Sequence, residues 1–73
     1  MAESVLSVGA RLKEIATRDS VYHGCTIVGW DERALVFAVE RTISEGGNVE
    51  TVLSHILVPW PSINYMILKE ERA

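Results

Sequence analysis

Ile56-Leu57-Val58-Pro59-Trp60-Pro61-Ser62-Ile63-Asn64-Tyr65-Met66 is the stretch that decides the fold. Its first three residues are wholly apolar and complete a run that alternates from Val49 through Thr51, Leu53, His55 and Leu57. Proline has no N–H to give a strand ladder, so the strand must end or turn at Pro59 and Pro61. Within one or two residues the alternation resumes at Ile63, Tyr65 and Ile67. The spacing predicts a strand from Val49 to about Pro59, one 3₁₀ turn at Trp60-Pro61-Ser62, and a last strand to Leu68. Lys69 to Ala73 reads as a solvated tail.

Upstream, Ser44-Glu45-Gly46-Gly47-Asn48 is the clearest turn in the chain, because two glycines supply positive φ without steric cost. Ala34 to Ile43 precedes it as a strand. Leu35, Phe37 and Val39 lie on one face and Ala34, Val36 and Ala38 on the other, so both faces call for cover. Val21 to Trp30 is rich in branched and aromatic residues and carries Gly24 and Gly29, which suit a sharply bent strand better than a flat one. Asp31-Glu32-Arg33 and Arg18-Asp19-Ser20 are polar breaks. The segment from Ser4 to Ala16 is ambiguous. Val8, Leu12, Ile15 and Ala16 sit at helical spacing and Ser4 or Ser7 could cap, but Gly9 costs a helix roughly 1 kcal/mol. It reads as a short N-terminal helix or turn running into a strand over Leu12–Thr17. The fold class is therefore mainly β: one domain, a five-stranded, strongly bent antiparallel barrel of the small SH3, Sm and OB kind.

Composition narrows the function. A 73-residue chain buries only about 60% of the surface its unfolded form exposes, so a lone copy has a marginal core. Small scaffolds compensate with disulfides, metal or self-association. Cys25 is the single cysteine and cannot form an internal disulfide. His23 and Cys25 flank Gly24 with no third ligand at metal spacing, so no metal or other cofactor is expected. Self-association remains, fed by a hydrophobic content of 48%. The net charge of -3 does not favour nucleic acid, although local stacking on aromatic residues can suffice. The start, Met1-Ala2-Glu3-Ser4, lacks a basic leader region and no apolar run is long enough for a membrane span, so a cytoplasmic protein without a membrane partner is expected. There is no phosphate loop, nucleophile elbow or metal motif, and an enzyme is not expected.

The order of features resembles the Sm-like family, which includes the LSm proteins and bacterial Hfq. Val21-Tyr22-His23-Gly24 looks like that fold's second strand, Trp30-Asp31 like its aromatic–Asp pair, and Ile56 to Met66 like its fourth strand, short turn and fifth strand. The resemblance implies a homo-oligomeric ring of five to eight subunits in which the fourth strand of one copy pairs with the fifth of the next. It also implies a role with single-stranded RNA or DNA. The chain would be a divergent member. Gly24 to Asp31 is a step of seven residues, one longer than the family pattern, which flips the alternation unless a bulge absorbs it. Glu32-Arg33-Ala34-Leu35 replaces the usual base-contacting residues, and Pro59-Trp60 stands where the family has Arg-Gly.

Candidate nucleic-acid contacts are Trp30, Asp31, Arg33 and His55, with Arg33 stacking on a base or meeting phosphate. Each has a plainer reading. Asp31 could cap its own turn, Trp30 could pack in a core or interface, and His55, like His23, could be a solvent-facing strand residue. Candidate oligomer contacts are Ile56, Val58, Trp60, Ile63 and Tyr65. Trp60, held rigid between prolines, could anchor a subunit interface or pack over the barrel end. Cys25 reads as an inert buried thiol. The rival function is an SH3-like protein-interaction or scaffold barrel that binds no nucleic acid, which the acidic balance favours.

Overall fold

The structure is a computed structural model and describes residues 6–71. Its strands are β1 (Arg11–Thr17), β2 (Val21–Trp30), β3 (Ala34–Glu45), β4 (Asn48–Pro59) and β5 (Ile63–Ile67), with a 3₁₀ turn over Trp60–Ser62 between the last two. All pairings are antiparallel in a single sheet of order β4-β3-β2-β1-β5. The mainly β architecture and the corner between prolines are those read from the sequence. None of the helices among the described residues is long and apolar enough to cross a membrane.

The connectivity forces the sheet to curl. In a flat sheet, four strand spacings would hold β4 and β5 about 19 Å apart. The chain crosses from Pro59 to Ile63 in four Cα steps, at most about 15 Å when extended and less through a 3₁₀ turn. The two edge strands are therefore drawn to one corner, yet no ladder joins them. The barrel stays open along this seam. Inside the curl lie Ile15, Cys25, Ile27, Leu35 and Phe37, all fully buried, with Tyr22, Trp60, Ile63 and Met66 packed around them.

Two irregularities in β2 produce the bend. Gly24 has φ +64°, a left-handed conformation that side chains disfavour. Core residues on either side of it are three apart, Tyr22 then Cys25 in β2 and Leu12 then Ile15 in β1. Residues three apart on a flat strand face opposite ways, so both strands turn over together here. Gly24→Ala meets no atom within 4 Å, so its cost is conformational, about 1–2 kcal/mol. Urea unfolding should show a lower midpoint with an unchanged slope. The second irregularity is a bulge at Val28, where the register steps from Ile27 opposite Phe37 to Gly29 opposite Val36. It absorbs one residue of the seven-residue step from Gly24 to Asp31, so that Trp30 pairs with Leu35 as Ile27 pairs with Phe37.

The N-terminal helix is not found among the described residues. Gly9 has φ +88°, and the Ala10 N–H donates to Ser7 O at 3.0 Å in a tight turn. The neighbouring backbone groups bond to β2, Gly9 N–H to Ile27 O and Ile27 N–H to Ala10 O, both at 2.8 Å. A glycine in the left-handed region and a ladder partner outweigh the helical spacing of Val8 and Leu12. The expected cap at Ser4 lies outside the described residues.

β3 and β4 form a hairpin with unbroken register from Ala34–Pro59 to Glu45–Asn48. Gly46 (φ 59°) and Gly47 (φ 86°) close it, as a two-residue turn with both φ positive requires. β2 stops pairing with β3 at Ala38. Beyond that point the hairpin is a two-stranded arm, and every residue from Glu40 to Thr51 is exposed. The arm gives the molecule a 52 Å long axis and a radius of gyration of 13.9 Å, against about 11 Å for a compact chain of this length.

Candidate functional site

The turn between β2 and β3 and the 3₁₀ corner between β4 and β5 meet at one end of the sheet. Asp31 shapes the turn. Its Oδ1 accepts the backbone N–H groups of Arg33 (2.7 Å) and Ala34 (2.9 Å), an Asx turn that a short carboxylate makes readily. These two bonds favour the ionised form and hold the Asp31 carboxyl below its ordinary value. A depressed folded-state pKa contributes stability that is present above the unfolded value and is lost as pH falls through the folded one. Acid titration of the folded chain should therefore show a loss of stability below about pH 4 that Asp31→Asn lacks, read from the unfolding midpoint in parallel titrations.

Trp60 fastens the corner onto this turn. Its indole Nε1–H donates to Asp31 O at 2.7 Å, and its backbone N–H donates to Arg33 O at 3.1 Å. The ring is half-buried against the core. The packing role over the barrel end is the one visible in a single copy. Arg33 is exposed on the turn so formed. Among the described residues the ion pairs join Lys13 to Glu70, His23 to Glu14 and Lys69 to Glu71, which leaves Arg33 without a carboxylate partner.

Trp30, 40% exposed, stands beside the turn and lines a shallow groove of about 290 Å³ together with Val28, Gly29, Asp31, Ala34, Val36 and Leu57. The groove exists because Gly29, Val36 and Leu57 lie in one row across β2, β3 and β4, and the glycine leaves a gap in that row. Trp30, Asp31 and Arg33 are thus brought together. His55 is not. It sits opposite Ala38 on β4, four residues before Pro59 and about 13 Å along the strand.

The five candidate oligomer contacts divide by side-chain direction. Val58 is buried in its own core, and Ile56, Trp60 and Ile63 are half-buried against it. Only Tyr65 offers a large exposed face, and its hydroxyl donates to Glu14 Oε2 at 2.7 Å. The backbones of Ile56, Val58, Ile63 and Tyr65 nevertheless lie on the two edge strands. The apolar side chains that β4 exposes are the alternate set, Val49, Leu53 and Leu57. Their exposure follows from the pairing of Val58 with the buried Leu35.

Glu14 is the functional group that sequence reasoning did not single out. One carboxylate oxygen accepts from Tyr65 on β5 and the other lies 2.9 Å from His23 Nε2 on β2, linking three strands. The carboxylate pushes the Tyr65 phenol above its ordinary value. Burial likewise pushes the Cys25 thiol up, which keeps it in the unreactive protonated form. No three His, Cys, Asp or Glu side chains gather as a metal-binding group among the described residues. No protein-family model, curated protein or solved structure matches the chain significantly.

Proposed function

We propose that the protein is a non-catalytic subunit of a homo-oligomeric ring of the Sm-like type, in which β4 of one copy pairs with β5 of the next. In this reading the ring takes single-stranded RNA or DNA at the Trp30–Arg33 turn. The observation that carries the assembly is the open seam. A strongly curled sheet ends in two edge strands that have no second ladder partner among the described residues, one of them twelve residues long. Free edges of this length are templates for another strand. Pairing them head to tail makes a heterologous contact that closes into a ring. It also supplies the core that a chain of this size lacks alone.

The nucleic-acid half rests on Arg33, a guanidinium without an ion-pair partner among the described residues, held on a turn shaped by Asp31 beside an exposed indole. Light scattering after size exclusion should give a single oligomeric mass at micromolar concentration, and a monomer would sink the ring. Fluorescence anisotropy with U-rich and A-rich oligonucleotides should show binding at low salt that weakens at high salt. Arg33→Ala should lower that affinity roughly tenfold, the order expected for a charge-assisted contact. Unchanged binding would remove the turn from the reading.

The apolar groove around Gly29 favours a second reading, an SH3-like barrel that binds a protein segment and no nucleic acid. Partners that survive nuclease treatment in a pull-down, together with no oligonucleotide binding at low salt, would select it.

A further inference from the structure

The ring reading leaves one mismatch in the pairing edges. β5 has five residues and β4 has twelve, about 17 Å against about 40 Å of strand. A neighbour's β5 alone covers the corner end of β4 and leaves the arm end bare. That end is weakly held, because a two-stranded ribbon with both faces in water is marginal on its own. The arm nevertheless exposes Val49 and Leu53 at 70% and 62%.

Strand polarity identifies what comes next. β4 runs from the arm tip to the corner, so an antiparallel β5 from the next copy runs from the corner toward the arm tip. The residues after Ile67 must then travel up the arm. In a single copy, residues 68–71 carry no strand pairing. They stay near β1, where Lys13 Nζ approaches Glu70 Oε1 at 3.8 Å between two exposed side chains. That approach lies past the last β1–β5 ladder pair, Glu14 with Ile67. Leu68, 45% exposed, leads the segment.

We infer that on assembly residues 68–71 of each copy extend β5 and pair with the arm portion of the neighbouring copy's β4, so that the two-stranded arm becomes three-stranded. This rests on the proposed β4–β5 ring contact and adds a second, separable contact to it. The outward amides of β4 that this extension reaches, which a lone hairpin leaves to solvent, become hydrogen-bonded; the nine residues 63–71 can cover up to nine of the twelve in β4.

Hydrogen exchange on the full-length protein and on a variant ending at Leu68 tests the inference, with light scattering run on both. The expected result is a full-length ring whose arm amides over residues 49–54 exchange about tenfold more slowly than in the shortened chain. Loss of the ring on shortening would support the contact still more strongly. A full-length ring with arm amides that exchange equally fast in both proteins overturns the inference and leaves the ring standing. A full-length monomer overturns both.

Discussion

Phe37→Ala should leave a chain with little or no folded population at room temperature. Phe37 is fully buried as the fourth residue of β3, paired with Ile27 on one side and Ile56 on the other. Its ring meets Tyr22 edge-on at 5.2 Å between centroids. Truncating a buried aromatic to alanine costs about 3–5 kcal/mol through lost transfer energy and the cavity left behind. A domain of this length has about 4–11 kcal/mol in total, and an open, five-stranded sheet with few fully buried large side chains belongs at the low end. Phe37→Leu keeps most of the volume and should cost less than about 1.5 kcal/mol. Val49→Ala on the exposed arm should stay within about 0.5 kcal/mol. Unfolding midpoints must be compared at one protein concentration, since the proposed assembly would stabilise the folded state by mass action. A loss below about 1 kcal/mol for Phe37→Ala would mean that the interior is not packed around β3.

The strand pattern was legible because it depends on short-range chemistry. Gly46-Gly47 and the Pro59-Trp60-Pro61 corner specify local backbone geometry, and both lie where the sequence placed them. Gly24 was readable as a bend for the same reason. Its consequence, the joint turning over of β1 and β2, needed the pairing of Leu12 with Cys25. The misjudgements are all long-range. β4 offers two apolar sets, Leu53 with Leu57 and Ile56 with Val58, so hydrophobic alternation alone had no preference between faces. Only the register with Leu35 selects Val58 for the core. His55 was grouped with Asp31 and Arg33, and the hairpin register separates them. Glu14 carried no signal in the sequence, because its partner Tyr65 is 51 residues away. At the N-terminus helical spacing competed with a ladder, and hydrogen bonds from Ile27 decided the outcome.

Trp60→Ala should be the second most damaging change, and a pair of variants separates its two roles. The indole is half-buried, so its truncation should cost about 2–4 kcal/mol, below the range for fully buried aromatics. The backbone bond from Trp60 N–H to Arg33 O is kept, while the carbonyl of Asp31 lies on an exposed turn and can bond to water when the indole N–H is gone. Losing that hydrogen bond alone should cost only about 1 kcal/mol. Trp60→Phe, which retains an apolar ring but no donor, should therefore recover most of the stability while loosening the 31–33 turn. Amide exchange at Arg33 and Ala34 is the readout for the turn, and the urea midpoint is the readout for packing. If Trp60 serves chiefly inside its own chain, both variants move these readouts in the order Ala more than Phe, and any surviving folded protein keeps its oligomeric mass. The opposite pattern, full stability of the folded chain with loss of the oligomer, would assign Trp60 to the neighbouring copy. The corner would then be an anchor between subunits, and the 2.7 Å bond to Asp31 would serve only to hold the indole ready for it.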